Sequence, residues 1–392
     1  MKIKQLTIDA IGGIDHLIVD FNEGFNFICG PNGIGKTTVL ECVAHMFSAN
    51  STDILKRNAA SASGKFTATV ESGGATATQS VEISMFEPNK PSSFSALHQH
   101  ARNVLSLKAS RTLQYQNLDA VRRDRVDNES QAYEEAKHGV NAHEIKNWFV
   151  NRYLYSAHID ALTPEQIHNL ELAKKCFSLL NADFIFSKVI ASSNEIMVKT
   201  PSGEIYFEYL SSGFKSSLTI VFGIIKDIEL RFKSPTKRAD DFDGIIIIDE
   251  LELHLHPDWQ SKIAGVLAGV FPKAQFIVAT HSPHIIQSAK PREIIALAAE
   301  DGKVIRRSLI NSEYGFQGWT VEEVLTDVMG MQDTRTPVYH ETMRLFESAI
   351  ASEDFANAQI QFATLDRLLH PQNHIRKILQ LDLASIRESS GD

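Results

Sequence analysis

The sequence has few cysteines and no long apolar run, and both absences argue against particular classes of protein. Its three cysteines are irregularly spaced, which disfavours a disulfide framework or a zinc finger: Cys29, Cys42 and Cys176. The longest apolar stretches, residues 218–225 and 245–248, fall far short of the roughly 20 residues needed to cross a bilayer. The first residues alternate like a strand and do not resemble a signal segment. We therefore predict a soluble, cytoplasmic protein with no membrane partner.

Positive charge is also scarce in this chain. It carries 39 Lys and Arg against 48 Asp and Glu, a net charge of −9, which excludes a simple polycationic nucleic-acid binder. One basic island lies in residues 101–125 and includes Arg122, Arg123 and Arg125. These arginines are candidates for phosphate contacts with nucleic acid. A solvated helical face or a protein interface explains them at least as well.

A glycine-rich loop is the most specific local motif. Residues 25–29 predict a buried strand and residues 38–47 a helix, and residues 30–37 between them match G-x-x-x-x-G-K-[ST]. The glycines let backbone N–H groups turn onto phosphate oxygens, while Lys36 reaches the β- and γ-phosphates and Thr37 offers a hydroxyl to Mg²⁺. The glycine spacing does not fit the dinucleotide fingerprint G-x-G-x-x-G. We predict that ATP contacts Gly30, Pro31, Asn32, Gly33, Ile34, Gly35, Lys36, Thr37 and Thr38.

A second motif ends a strand with two acids. Residues 245–248 are all isoleucine and predict a buried strand, whose carboxyl end is where ligands bind in open α/β sheets. Asp249 is the expected Mg²⁺ ligand, and Glu250 is placed to orient or deprotonate an attacking water. Two acids that cap an exposed strand end are the alternative. A zinc site at His254 and His256 is disfavoured, because side chains at i and i+2 do not share a face.

Two further segments complete an ordered set of motifs. Residues 210–215, Leu-Ser-Ser-Gly-Phe-Lys, precede a predicted helix, and a predicted strand ends in Thr-His-Ser-Pro at residues 280–283. Alone, the first is typical of a serine cap and the second of a polar strand end. Together with the loop and the two acids, they resemble an ABC-type ATPase of the RecF/SMC-like branch. The chain most closely resembles bacterial ATPases of the OLD group and of Septu and retron anti-phage defence systems. Those share a D-E-x-E-x-H-x-H-P run, and residues 324–337 resemble the segment that follows their ATPase core.

This resemblance implies roles that the motifs alone leave open. Glu250, His281 and Lys36 are implied as catalytic residues, with His281 as the sensor of the γ-phosphate. ATPase units of this class face head to tail in a homodimer. Ser211 and Gly213 are therefore implied to contact ATP bound to the opposite subunit.

The signature segment departs from the pattern of ABC transporters. Ser212 stands where transporters have glycine, and Phe214 stands where they have glutamine. The Q-loop is not placed by the sequence, and Gln114 and Gln116 are its candidates.

The pattern of elements predicts an α/β fold. We expect an ABC-ATPase head with a mostly parallel sheet flanked by helices, an N-terminal antiparallel β part, a helical insertion and a C-terminal helical tail. Residues 1–95 and 206–310 are assigned to the two parts of the ATPase. Residues 96–205 are expected to form a mostly helical insertion, and residues 311–392 a C-terminal helical region.

The implied function is an ATP-binding and ATP-hydrolysing dimeric clamp. It would be the regulatory or sensor subunit of an anti-phage defence complex, itself open to larger assembly, and would control a separate effector such as a nuclease. A RecF-like DNA-repair ATPase is the alternative, and a transporter subunit is weaker because transporters generally lack so long an insertion between Lys36 and Ser211. An integral nuclease is disfavoured, since no metal-binding acid cluster follows His281. The run from His370 to His374 is expected to be a turn between helices.

Overall fold

The computed structural model describes residues 1–109, 117–124, 129–140, 144–310 and 313–389. Gln114, Gln116 and Arg125 lie outside these described residues. The chain divides into two compact units, Met1–Gly330 and Met331–Asp392. Within the described ranges, the helices are too short or too polar to cross a membrane.

The first unit contains strands β1 to β15 and helices α1 to α8. In chain order the strands are Lys2–Ile11, Ile14–Asp20, Phe25–Cys29, Ala49–Thr52, Gly64–Ser72, Ala75–Ile83, Ser92–Ser95, Val104–Leu107, Ile185–Ile190, Glu195–Thr200, Gly203–Tyr206, Ile245–Ile248, Gln275–Ala279, Ile294–Glu300 and Lys303–Arg306. The helices are Lys36–His45, Glu129–His138, Ile145–Tyr155, Pro164–Leu180, Ser212–Arg231, Pro257–Val270, Pro283–Ser288 and Val321–Glu323. A π-helical turn, Val324–Val328, follows α8.

A six-stranded sheet forms the centre of this unit, in the order β15-β14-β3-β13-β12-β8. Strands β14, β3, β13, β12 and β8 pair in parallel, and β15 is antiparallel at one edge, which confirms the predicted mostly parallel sheet. Every residue of β3, β12 and β13 is buried, as expected of strands covered on both faces. The carboxyl ends of β3, β13, β12 and β8 therefore meet at one edge.

Strand β12 shows why its sequence is an unbroken run of isoleucine. Ile245 and Ile247 face the core that also contains α1 and the antiparallel strands, while Ile246 and Ile248 face the core built by the helices on the other side. Because successive strand residues point to opposite faces, a strand between two cores needs an apolar residue at every position. The two cores hold the site-bearing edge of the sheet in place.

The antiparallel part predicted at the N-terminus is also present. Its sheet has the order β2-β1-β5-β6, and β1 pairs with both β2 and β5. Ile3, Leu6 and Ile8 of β1 are fully buried against α1 and the central sheet, whereas Gln5 between them is exposed. Leu6 and Ile8 keep the period of two expected of a sheet with one buried face, and the shift of register between Ile3 and Gln5 interrupts that period.

Residues 96–205 differ from the mostly helical insertion that was expected. They contain α2, α3 and α4, but β8 inside this range is the edge strand of the central sheet, and β9 and β10 form a separate antiparallel sheet with β11. Strand β8 is only four residues long and wholly buried. Its pairing with β12, far along the chain, makes it part of the central sheet, which its strand-like local pattern does not reveal.

The C-terminal region also begins later than residue 311. Phe316, Val324 and Val328 are buried in the core of the first unit, so the chain up to Gly330 belongs with that unit. The second unit consists of helices α9 (Pro337–Ala351), α10 (Phe355–Leu368) and α11 (Ile375–Ser389). They enclose a core of their own: Phe346, Ala349, Ala358, Leu365, Leu369, Leu379 and Ile386. The run from His370 to His374 lies in the turn between α10 and α11, as predicted.

Candidate nucleotide-binding site

The glycine-rich loop connects β3 to α1, and its glycines hold backbone conformations that other residues rarely adopt. Gly30, Gly33 and Gly35 have φ of 142°, 74° and 102°. A Cβ atom on Gly30 would lie 2.4 Å from the carbonyl oxygen of Leu297. Glycine is therefore required at residue 30 by both torsion and space, and the loop can turn its N–H groups towards an anion.

The side chain of Lys36 folds back into the loop at residues 30–37. Its Nζ donates to the carbonyl oxygens of Gly30, at 2.9 Å, and of Pro31, at 2.8 Å. Burial lowers the pKa of Lys36, while nearby acids, among them Asp249, favour its charged form. The ammonium group is thus held close to the position that the motif assigns to the phosphates.

The two predicted magnesium ligands meet across the sheet edge. Thr37, in the first turn of α1, donates from Oγ1 to Oδ2 of Asp249 at 3.3 Å. The backbone N–H of Asp249 donates to the carbonyl oxygen of Leu107 at 2.9 Å, which extends the β12–β8 pairing by one residue. A hydroxyl and a carboxylate fit Mg²⁺, which takes oxygen ligands and usually completes its shell with water and phosphate oxygens. Among the described residues, no group of three or more His, Cys, Asp and Glu side chains is arranged to hold a metal ion.

Glu250 directly follows Asp249 with a positive φ of 50°. A residue with a side chain in this region is uncommon and stores strain, which is typical of functional turns. Leu251 returns to the sheet, because its N–H donates to the carbonyl oxygen of Ala279 at the end of β13. The turn thus places Glu250 at the carboxyl edge between β12 and β13.

Glu252, the last acid of the D-E-x-E run, contacts the end of the neighbouring strand β13. Its carboxylate accepts from Oγ1 of Thr280 at 2.7 Å and from the backbone N–H of His281. It therefore ties the turn after β12 to the end of β13, which carries His281. The repeated acids of the D-E-x-E run were the signal in the sequence, but only the fold shows which strand end Glu252 contacts.

His281 lies at the same edge as Lys36 and the acids. Burial lowers the pKa of His281, and the charge of Lys36 lowers it further, against the opposite influence of Glu252, Glu250 and Asp249. The ring is therefore neutral near pH 7 and can both donate and accept hydrogen bonds. The structure brings Lys36, Thr37, Asp249 and His281 to one edge, as the motif order predicts.

Ser211 and Gly213 are placed differently from this group. Ser211 is the N-cap of α5 and accepts from the N–H of Phe214 at 3.4 Å. Gly213 lies against Trp259 and the backbone of His254 and His256, where a Cβ would stand 3.1 Å from the Trp259 ring. The described residues contain no hydrogen bond between either residue and the loop at 30–37.

The direction of α5 explains why its first turn is nevertheless near the carboxyl edge. At the end of α5, Arg231 donates to the carbonyl oxygen of Val104, the first residue of β8. The 20 residues of α5 extend about 30 Å, and its first turn reaches the turn that follows β12. There Ser216 donates to the carbonyl oxygen of Leu253, and Ser211 and Ser212 are exposed.

The predicted basic island is only partly described. Arg122 and Arg123 are exposed, and the backbone N–H of Arg122 donates to Asn147 on α3. Arg122 thus lies near α3, where Arg152 forms a buried ion pair with Glu229 of α5. Exposure leaves both guanidinium groups accessible without indicating what they bind.

Comparison with known proteins now decides the family. An AAA-domain model matches residues 5–189, and an AAA-domain model named for the AbiEii toxin of a Type IV TA system matches residues 178–287. The chain is 44% identical to the Septu protein PtuA of Bacillus thuringiensis over 395 aligned positions, which cover 98% of both chains. The chain belongs to the PtuA family.

This PtuA-family protein also has more distant similarities to other proteins. It is 28% identical to the retron Ec83 probable ATPase of Escherichia coli, over 44% of this chain and 31% of that protein. A match to the RecF replication and repair protein of Bifidobacterium adolescentis reaches 37% identity but covers 13% of each chain. The SMC head domain from Thermotoga maritima superimposes with a TM-score of 0.48 at 15% identity, over 79% of this chain and all of that chain.

These comparisons confirm the predicted resemblance to Septu and retron ATPases. The PtuA-family protein is a nucleotide-binding ATPase of a defence system. The RecF similarity is confined to a short stretch, so the DNA-repair alternative has less support.

Proposed function

We propose that this protein binds ATP with Mg²⁺ in the loop at residues 30–37 and hydrolyses it at the edge where Asp249, Glu250 and His281 meet. The observation that carries the proposal is the hydrogen bond from Thr37 to Asp249, which joins the helix after the loop to the end of β12. Thr37 and Asp249 would hold Mg²⁺, which neutralises phosphate charge when bound.

The other residues of this edge supply the rest of the chemistry. Lys36 exchanges its carbonyl partners for oxygens of the β- and γ-phosphates, because a charged acceptor forms the stronger hydrogen bond. Glu250 accepts a proton from the attacking water. The neutral ring of His281 donates a hydrogen bond to the γ-phosphate and so distinguishes ATP from ADP.

We further propose that two copies of the chain enclose each ATP head to tail. Ser211 and Ser212 are exposed at the N-terminus of the long helix α5, which is a favourable place for an anion. In the described residues they form no hydrogen bond with the loop of their own chain, so a phosphate bound by a second copy is a suitable partner. ATP then closes the dimer, and hydrolysis opens it.

The dimer is tested with Glu250→Gln, which keeps the shape of the side chain and removes its basicity. We expect this variant to bind ATP but to turn over at least about 100-fold more slowly, the range for a lost general base. It should therefore accumulate as a nucleotide-loaded dimer, measured by light scattering with and without ATP. Glu82→Gln, an exposed acid of β6, is the control. A Glu250→Gln monomer with undiminished turnover would refute the clamp.

Control of a separate effector is the last part of the proposal, and the full-length similarity to a Septu protein supports it. We propose that the clamp holds an effector such as a nuclease and releases or activates it with the nucleotide state. Affinity purification of the tagged wild type and of Glu250→Gln from the native host should retain the same effector in different amounts. Equal recovery from both proteins, or none, contradicts nucleotide control.

A further inference from the structure

A buried ion pair lies beside the proposed magnesium site and was not singled out in the sequence. Nζ of Lys108 is 2.6 Å from Oε1 of Glu41, and the two residues are 67 positions apart. Glu41 is on α1, one helical turn after Thr37, so both side chains lie on the same face of the helix. Lys108 directly follows β8, the strand next to β12.

Glu41 and Lys108 belong to two segments that each contact Asp249. On one side, Thr37 of α1 donates to the Asp249 carboxylate. On the other, the carbonyl oxygen of Leu107, which immediately precedes Lys108, accepts from the backbone N–H of Asp249. The contact between Lys108 and Glu41 therefore closes a ring of residues around the carboxyl end of β12.

The second oxygen of Glu41 is available although it is buried. Glu41 is only 7% exposed, and its Oε2 has no hydrogen-bond partner among the described residues. Nδ1 of His45 is 3.6 Å away, beyond hydrogen-bond distance, and lies 2.7 Å from the backbone carbonyl of Glu41. A buried carboxylate oxygen without a donor is costly, and such an atom at a functional edge calls for a ligand.

The electrostatic environment agrees with this placement. Burial raises the pKa of Glu41, the neighbouring Lys108 opposes this, and the negative charge of Asp249 raises the pKa again. The carboxyl groups of Glu41 on α1 and Asp249 after β12 are thus close enough to repel each other. Such an arrangement is stabilised by a bound cation, which attracts both charges.

We propose that Glu41 is the second acidic residue of the cation site, which accepts a hydrogen bond from a Mg²⁺-bound water through Oε2 while Lys108 holds its other oxygen. This inference rests on the nucleotide site proposed above. Mg²⁺ keeps several of its waters when bound to a protein, and carboxylates outside the direct ligands orient them. Glu41 is in this sense a positioning residue for Thr37 and Asp249, which remain the direct ligands.

The test measures binding of a non-hydrolysable ATP analogue by calorimetry while Mg²⁺ is varied. We expect Glu41→Gln to raise the Mg²⁺ concentration at half-maximal binding about 10-fold, the lower end for losing such an outer residue. Binding of the analogue in excess chelator should equal that of the wild type. Glu41→Asp keeps the charge and leaves room for one more water. Its Mg²⁺ concentration at half-maximal binding should therefore lie between those of the wild type and of Glu41→Gln.

Glu195→Gln is the matched control, because Glu195 is as buried as Glu41 and pairs with Lys146 at 2.8 Å outside this site. It should alter thermal stability without moving the Mg²⁺ midpoint. The inference is overturned if Glu41→Gln has the wild-type midpoint, if it weakens binding equally with and without Mg²⁺, or if Glu41→Asp is no better than Glu41→Gln. A wild type that fails to bind the analogue at any Mg²⁺ concentration instead refutes the proposed nucleotide site.

Discussion

Gly30 shows how one residue of the loop is constrained by its neighbours. Its φ of 142° suits glycine alone, and the carbonyl oxygen of Leu297 occupies the space of a side chain. The positive φ of Gly33, 74°, also favours glycine. A Cβ atom added there, however, would meet no described part of the chain within 4 Å. Alanine substitutions at the two glycines therefore separate the free-energy cost of backbone strain from that of a steric clash.

We expect Gly30→Ala to reduce the free energy of unfolding by more than Gly33→Ala. Strain alone costs about 1–3 kcal/mol at either position, and Gly30→Ala must also displace the β14 backbone. Urea denaturation of both variants measures the difference, and nucleotide binding should be lost in Gly30→Ala. Equal stability of the two variants would contradict the close approach to Leu297.

His45 makes a prediction about pH. Burial lowers the pKa of His45 from its ordinary 6.5 to about 3, and its nitrogens contact the carbonyl of Glu41 and the hydroxyl of Thr52. Between about pH 3 and pH 6.5, His45 binds a proton in the unfolded chain but not in the folded chain. The contribution of His45 to stability is therefore fully present above pH 6.5 and is lost as the pH falls towards about 3.

The expected slope is about 1.4 kcal/mol per pH unit within that window. His45→Gln cannot titrate, so its unfolding free energy should fall less steeply than that of the wild type between about pH 6 and pH 4. Parallel curves for wild type and His45→Gln would mean that the folded protein protonates this ring.

At the scale of elements, the start of α5 is packed against the turn that precedes α6. Gly213 approaches the Trp259 ring and the backbone N of His256, and Ser216 bonds to the carbonyl of Leu253. This turn follows directly from Asp249 and Glu250. We therefore expect a change in the turn to move the exposed first turn of α5, where the second copy is proposed to dock.

We expect Gly213→Ala to reduce ATP-dependent dimer formation at least several-fold. The added methyl group must push either α5 or the turn by a few tenths of an ångström, while the loop at 30–37 is untouched. Nucleotide binding by the monomer should remain within about twofold, since stability changes at distant sites are nearly independent. Light scattering and calorimetry provide the two measurements.

Gly269→Ala is the control for this element. Gly269 lies in α6, and a Cβ atom there would enter open space in the described part of the chain. Alanine should therefore add up to about 1 kcal/mol of stability through helix propensity and leave the dimer intact. Loss of the dimer in both variants would show that α6 as a whole, and not its contact with Gly213, controls assembly.

At the scale of the whole molecule, the two compact units have separate hydrophobic cores. The sheet and both of its covering layers belong to Met1–Gly330, and the helices α9 to α11 enclose the core of Met331–Asp392. Every residue assigned to the nucleotide site belongs to the first unit. Folding of that site is therefore expected not to require the second unit.

A chain shortened to end after Gly330 should stay folded and bind nucleotide with the Mg²⁺ dependence of the full chain. Circular dichroism and calorimetry test this, with a full-length preparation as reference. An aggregated or unfolded product would show that the first unit depends on residues after 330 for its stability.

The motifs proposed to bind and hydrolyse ATP could be predicted because each is local. The spacing of glycines and Lys36 within one loop, and of Asp249 and Glu250 after one strand, follows from backbone geometry within a few residues. Their meeting at one edge was also predictable, since parallel strands present their carboxyl ends together. The family itself was recognisable from the order of these motifs.

Only the tertiary structure decided which distant residues complete the site. The pairing of β8 with β12 brings Lys108 to Glu41, and the turn after β12 brings Glu252 to His281, although neither contact has a periodicity or spacing that marks it in the chain. The late start of the second unit likewise depended on where Phe316 and Val324 found a core. Local residue types determine the chemistry that a segment can perform, whereas burial and strand pairing determine which segments perform it together.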